Sequence, residues 1–119
     1  MKRLLALITL LPTPALANFD CSIERQCGGG ACEAFAGGPM TVRELGDSWQ
    51  VEIAGTIYEG YETTTMETGG EVSIVLPPQQ GISGLVSIYP SGEVSFTVHA
   101  YSEGAVAITG SGNCSGEGG

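Results

Sequence analysis

From Trp49 onward the chain alternates apolar and polar residues with a period of two, which restricts it to strands with one buried face. The clearest case is "EVSFTVHAYS". Val94, Phe96, Val98 and Ala100 share one side, and Glu93, Ser95, Thr97, His99 and Tyr101 share the other. "GLVSIY" precedes it across Pro90-Ser91-Gly92, a loop with hairpin chemistry. "EVSIVL" puts Val72, Ile74 and Leu76 on one face after a Gly69-Gly70 turn, and Pro77-Pro78 is expected to stop it because proline cannot donate to a ladder. "WQVEIAGTIY" reads as one strand with Trp49, Val51, Ile53 and Ile57 inside, and Gln50, Glu52, Thr56 and Tyr58 outside. The threonine-rich "YETTTMET" reads as an exposed or edge strand. After Glu103-Gly104, "AVAITGSGNC" alternates Val106 and Ile108 with small residues, a sign of a face with little room beside it.

Residues 21–47 are glycine- and cysteine-rich and show no sustained period. They predict an irregular segment, with one helical turn near Asp20 and a short strand over Pro39–Leu45. The fold class is therefore all-β: a small antiparallel barrel or sandwich of six or seven strands behind a cysteine-rich, mostly irregular start. Residues 18–114 form one domain, and 115–119, "SGEGG", a disordered tail.

Residues 1–17 have the form of an export leader. Lys2 and Arg3 precede an apolar run, Leu4–Leu11, and "ALA" at 15–17 suits a peptidase cutting before Asn18. The run is too short to span a membrane, which takes about 20 apolar residues, so the expected location is periplasmic or secreted. Cleavage leaves two cations, Arg25 and Arg43, against thirteen carboxylates, and the formal charge falls from −9 to −11. Nucleic-acid binding by phosphate neutralisation is excluded on that balance, as is attraction to an anionic membrane. A basic protein, in contrast, is drawn to such a surface.

Three of the four cysteines crowd "CSIERQCGGGAC". The spacing fails the haem pattern C-x-x-C-H and the redox pattern C-x-x-C, and it leaves Cys114 without the nearby second ligand that zinc sites usually have. In an oxidising compartment an even count points to disulfides. Of three connectivities, Cys21–Cys114 with Cys27–Cys32 is favoured, since it ties the domain's two ends and closes one small loop through Gly28–Gly30. No metal or cofactor is expected.

His99 is the only histidine, and Ser95 lies about 13 Å from it along a strand, too far for a nucleophile–base pair. Glu52, Glu59, Glu62, Glu67 and Glu71 crowd the first hairpins without a calcium-loop pattern. Tyr58, Tyr61, Tyr89 and Tyr101 are candidates for a partner patch or ligand mouth. The candidate binding surface is thus Glu52, Glu59, Glu62, Glu67, Tyr58, Tyr61, Tyr89, His99 and Tyr101.

"FDC" (Phe19–Cys21), "ISGLVSIY" (Ile82–Tyr89) and the late "GNC" together resemble exported bacterial inhibitors of c-type lysozyme, over about half the chain. The resemblance implies a small β-barrel with a cysteine near each end; no site residue carries over, and no lysine follows the leader to enter a lysozyme cleft, though the chain's own acidic balance suits a basic enzyme. The expected function is a non-enzymatic binding module of the cell envelope, for a basic protein or a small ligand. The alternatives are an inhibitor of a basic extracellular enzyme, and a hydrolase using the glutamate cluster or His99.

Overall fold

The computed structural model describes residues 16–63, 70–101 and 103–117, without the side chains of 35–37 and 117. Residues 1–15, most of the expected leader, lie outside the described residues, as do Glu67 and Gly69. Eight strands follow one another: β1 Asn18–Gly28, β2 Ala31–Glu44, β3 Trp49–Ile53, β4 Thr56–Glu62, β5 Val72–Gln79, β6 Ile82–Ile88, β7 Glu93–Tyr101 and β8 Ala105–Glu117. Each pairs antiparallel with the next, and β8 closes on β1. The architecture is an up-and-down barrel with an apolar interior. β4, which takes in Tyr61 and Glu62, is paired with β3 and β5; residues 64–68 of "YETTTMET", expected to be an exposed or edge strand, lie outside the described residues. One end carries the turns after β1, β3, β5 and β7 (the hairpin end), and the other carries Ala17 and Glu117.

The N-terminal segment departs most from expectation. It is neither irregular nor helical at Asp20, but forms two of the longest strands, so the strand count rises to eight. Phe19, Cys21 and Ile23 do alternate inward, all buried. A register shift between Ile23 and Arg25 then makes Glu24 an extra residue, and beyond it Gln26 and Gly28 occupy the inward positions. A bulge inverts the phase of everything after it, which erases the period when the segment is read as a whole.

A similar inversion moves Ile57 and Tyr58. Ala54 and Gly55, with φ of 51° and 84°, form a two-residue turn between β3 and β4. Such a turn needs positive φ at both central residues. Ile53 opposes Thr56 and Val51 opposes Tyr58, so Tyr58 joins the inner face while Ile57 points out and is half exposed.

Pro77 and Pro78 do not end β5, which continues to Gln79 with a register shift between Leu76 and Gln79. The proline pair donates nothing to β4, and side chains replace the missing ladder. The Gln79 amide accepts from the Glu59 N–H at 2.7 Å and donates to the Glu59 carbonyl at 2.7 Å, standing in for a peptide group. The Gln80 amide donates to the Ile57 carbonyl at 2.9 Å. Replacing Gln79 by Leu is expected to destabilise the fold by about 1–3 kcal/mol, because two backbone groups of Glu59 lose their partner; urea unfolding measures it.

At the far end, β8 runs to Glu117, with Ser115 opposite Asp20 and Gly116 opposite Phe19, so 115–117 are strand and not a disordered tail. Ala17, which the expected cut would leave on the leader, is buried; its carbonyl accepts from the Glu44 N–H at 2.9 Å, and its N–H donates to the Glu44 carboxylate at 3.0 Å.

Ile23, Val42, Val51, Ile74, Leu76, Val86 and Val94 are almost completely buried inside the ring. Each contributes roughly 1.5–3 kcal/mol of apolar burial. The inward face of β8 is nearly bare: Val106, Ile108, Gly110, Gly112, Cys114 and Gly116. A Cβ at Gly110 would strike the Phe96 ring, and one at Gly112 would strike the Ser22 carbonyl and the Ile23 Cα. The small residues of "AVAITGSGNC" therefore let the Phe96 ring and the β1 backbone close on β8.

Both disulfides join residues directly opposed on neighbouring strands. Cys21–Cys114 lies on the inner face and locks β1 to β8 at the seam of the barrel. Cys27–Cys32 crosses the β1–β2 hairpin near its tip. These are the two pairs favoured from the spacing, and they fit an oxidising, extracellular environment.

Candidate functional site

The candidate residues do not converge. Glu52, Glu59 and Tyr61 share the outer face of β3 and β4, where Gln50 opposes Glu59 and Ile57 opposes Glu52. The Glu59 carboxylate beside Tyr61 raises the phenol above its ordinary value, chiefly by its charge, with a smaller effect of desolvation and of a hydrogen bond to Glu59. Tyr58 has turned inward. Glu62, opposite Ile74, sits exposed at the end of β4. Tyr89 borders the β6–β7 turn, where its N–H donates to the Glu93 carbonyl. His99 and Tyr101 stand on the outer face of β7 towards the hairpin end, Tyr101 at 74 % exposure. Glu67 lies outside the described residues.

His99 is opposed by Ser83 on β6 and Ala107 on β8, not by Ser95. Its neighbours across the sheet include no carboxylate, so a nucleophile–base–acid chain is not assembled there. Among the described residues no three of His, Cys, Asp and Glu gather into a metal-binding group. The four cysteines are consumed in disulfides.

What the outer face does assemble is an apolar band. Tyr61 opposes Val75 on β5, and Val75 opposes Leu85 on β6, so three outward side chains lie in one row across three strands. Tyr61 is 43 % and Leu85 42 % exposed, and Ile57, on the same face of β4, is 50 % exposed. Glu59 separates Ile57 from Tyr61 along the strand, and Glu52 borders Ile57 on β3. The band is an apolar strip with carboxylates along it. Ile57, Val75 and Leu85 were absent from the candidate set. Val75 and Leu85 had a signal nonetheless: each is an apolar residue out of phase with an inner face already filled by its neighbours on the same strand.

Serines dominate the next row. Ser73 opposes Ser87, with their hydroxyls 2.9 Å apart, and Ser87 opposes Ser95. This row bounds the band with small polar groups.

The barrel's middle is filled by side chains, and its two ends each hold a dent. The hairpin-end dent measures about 170 Å³ and includes Ile53, Tyr58 and Ile108. The opposite one measures about 210 Å³ and includes Phe19, Tyr89 and Pro90. No family model, no curated protein and no solved structure matches this chain.

Proposed function

We propose that this chain is an exported, non-enzymatic binding domain that holds a basic protein against the outer face of β4–β6. The observation that carries the reading is the outward row Tyr61–Val75–Leu85, in which Tyr61 and Leu85 are exposed and Val75 partly so, with exposed Ile57, beside Glu52 and Glu59. Protein interfaces place aromatic and aliphatic side chains at the centre and polar groups at the rim. A strongly negative chain, −9 as written, attracts cationic partners over distances near the Debye length and aligns them before contact. Export, to the periplasm or outside the cell, is supported by the leader pattern and by two disulfides.

The distribution of polarity also favours a water-borne barrel. A lipid-facing barrel carries its apolar band outside and its polar residues within. Here Ile23, Val51, Ile74 and Val86 are inside, while Asp20, Arg43, Glu59, Glu93 and Ser95 are outside and exposed. The filled interior and the dispersed carboxylates favour binding over hydrolysis.

The test is calorimetric titration against a c-type lysozyme and a second basic secreted protein, at low and high salt. Binding is expected to weaken with salt, and Tyr61→Ala/Leu85→Ala is expected to weaken it about tenfold or more, the scale of a central contact. Silence from lysozyme alone removes the inhibitor form of the reading. Silence from every basic protein, or a double variant that binds like the parent, overturns the function itself.

A further inference from the structure

The hairpin end of the barrel has uneven walls. β3 stops at Ile53, opposite Met40, whereas β2 continues the other way to Ala31 as the outer strand of a β1–β2 arm. β8 follows the arm, with Ile108 opposite Gly28. The mouth therefore has one tall wall, the arm with β8 beside it, next to the low end of β3. Between them lies the 170 Å³ dent, walled by Ile53, Tyr58, Ile82, Val98 and Ile108 with Gln26 on the arm. Ala100, inward on β7, adds little bulk to its wall.

Two polar groups enter this apolar cup. Gln26, inward after the bulge, and Tyr58, inward after the two-residue turn, are each partly buried. Neither side chain makes a hydrogen bond within the described residues, whereas Gln79 and Gln80, which lie elsewhere, are both bonded. An apolar concavity with a few convergent polar groups is the usual form of a small-molecule site. A cavity of about 150 Å³ lined by aliphatic and aromatic side chains is enough for benzene.

We infer that the cup binds a small neutral amphiphile, a phenol- or alcohol-like molecule whose apolar body fills the mouth and whose hydroxyl meets Gln26 and Tyr58. The charge of the ligand follows from the surroundings. Glu33 opposes Gln26 on the same side of the arm, and the chain is strongly acidic, so a carboxylate is repelled. The Cys27–Cys32 disulfide fixes the arm one residue beyond that pair. This site is separate from the β4–β6 outer face and stands whether or not that face binds a basic protein.

Nitrogen-15 and methyl NMR of the oxidised protein, titrated with phenol, benzoate and toluene, tests the inference. Phenol is expected to cause saturable shifts at the Gln26 side-chain amide and at the Ile82 and Ile108 methyls, with benzoate binding at least tenfold more weakly. Gln26→Leu is expected to lower phenol affinity about tenfold while sparing toluene, and Ala100→Phe, which fills the cup, to abolish both. Each variant's dispersed spectrum serves as the folding check. Absence of saturable shifts with phenol, equal binding of benzoate, or phenol affinity unchanged by Gln26→Leu overturns the inference.

Discussion

Converting Cys21 and Cys114 to alanine lowers the unfolding free energy by about 4–5 kcal/mol on the chain-entropy relation, because the bridge closes a loop with a sequence separation of 93. At roughly 4–8 °C per kcal/mol for a domain of this size, the midpoint falls by at least about 15 °C. The bridge's place in the fold adds to the effect. It sits on the inner face of the β1–β8 seam, so losing it also leaves space beside Phe19, Val94 and their neighbours. The matched change of Cys27 and Cys32, with a separation of only 5, costs about 2 kcal/mol by the same relation and leaves the barrel closed. Thermal unfolding of the two double variants measures the contrast. Equal losses from both would show that the seam does not depend on its bridge.

Replacing Gly112 by alanine has the second largest effect. The new methyl meets the Ser22 carbonyl and the Ile23 Cα, which are backbone atoms of β1 and cannot swing aside. Alanine reduces the entropy of the unfolded chain and so returns about 0.4–1 kcal/mol. Overpacking costs about 1–3 kcal/mol and sometimes more, so the net change is destabilising and lies at the upper end. Gly110→Ala meets the Phe96 ring, which is held inside the core, and ranks next. Gly28→Ala, whose nearest obstacle is Ile108 Cγ1 at 3.3 Å, ranks last because a side chain can give way. Urea midpoints for the three variants should follow that order, and a tolerated Gly112→Ala would contradict the close approach of β1 and β8.

The all-β class, the inner faces of β5 and β7 and the β6–β7 turn were legible because a side-chain period of two leaves no other arrangement for Val94, Phe96 and Val98, or for Ile74 and Leu76. The parts that escaped share one cause. Wherever the chain inserts or removes a residue from the alternation, the period resets. The bulge at Glu24 hid β1 and β2, and the Ala54-Gly55 turn exchanged Ile57 with Tyr58. Pro77-Pro78 looked like a stop because the compensating donor, the Gln79 side chain, lies outside any ladder rule. The proposed binding face was half visible. Glu52, Glu59 and Tyr61 were identifiable as charged or aromatic residues, whereas the row joining Tyr61 to Val75 and Leu85 exists only through the pairing of three strands.

The β4–β6 outer face is the surface proposed to hold the partner. Backbone and methyl shift mapping of the labelled domain with a basic protein partner tests it most directly. Perturbations are expected to concentrate at Ile57, Glu59, Tyr61, Val75 and Leu85 and to persist at moderate salt. Perturbations spread evenly over acidic positions around the barrel and lost together as salt rises, or confined to the hairpin-end cup, would contradict it.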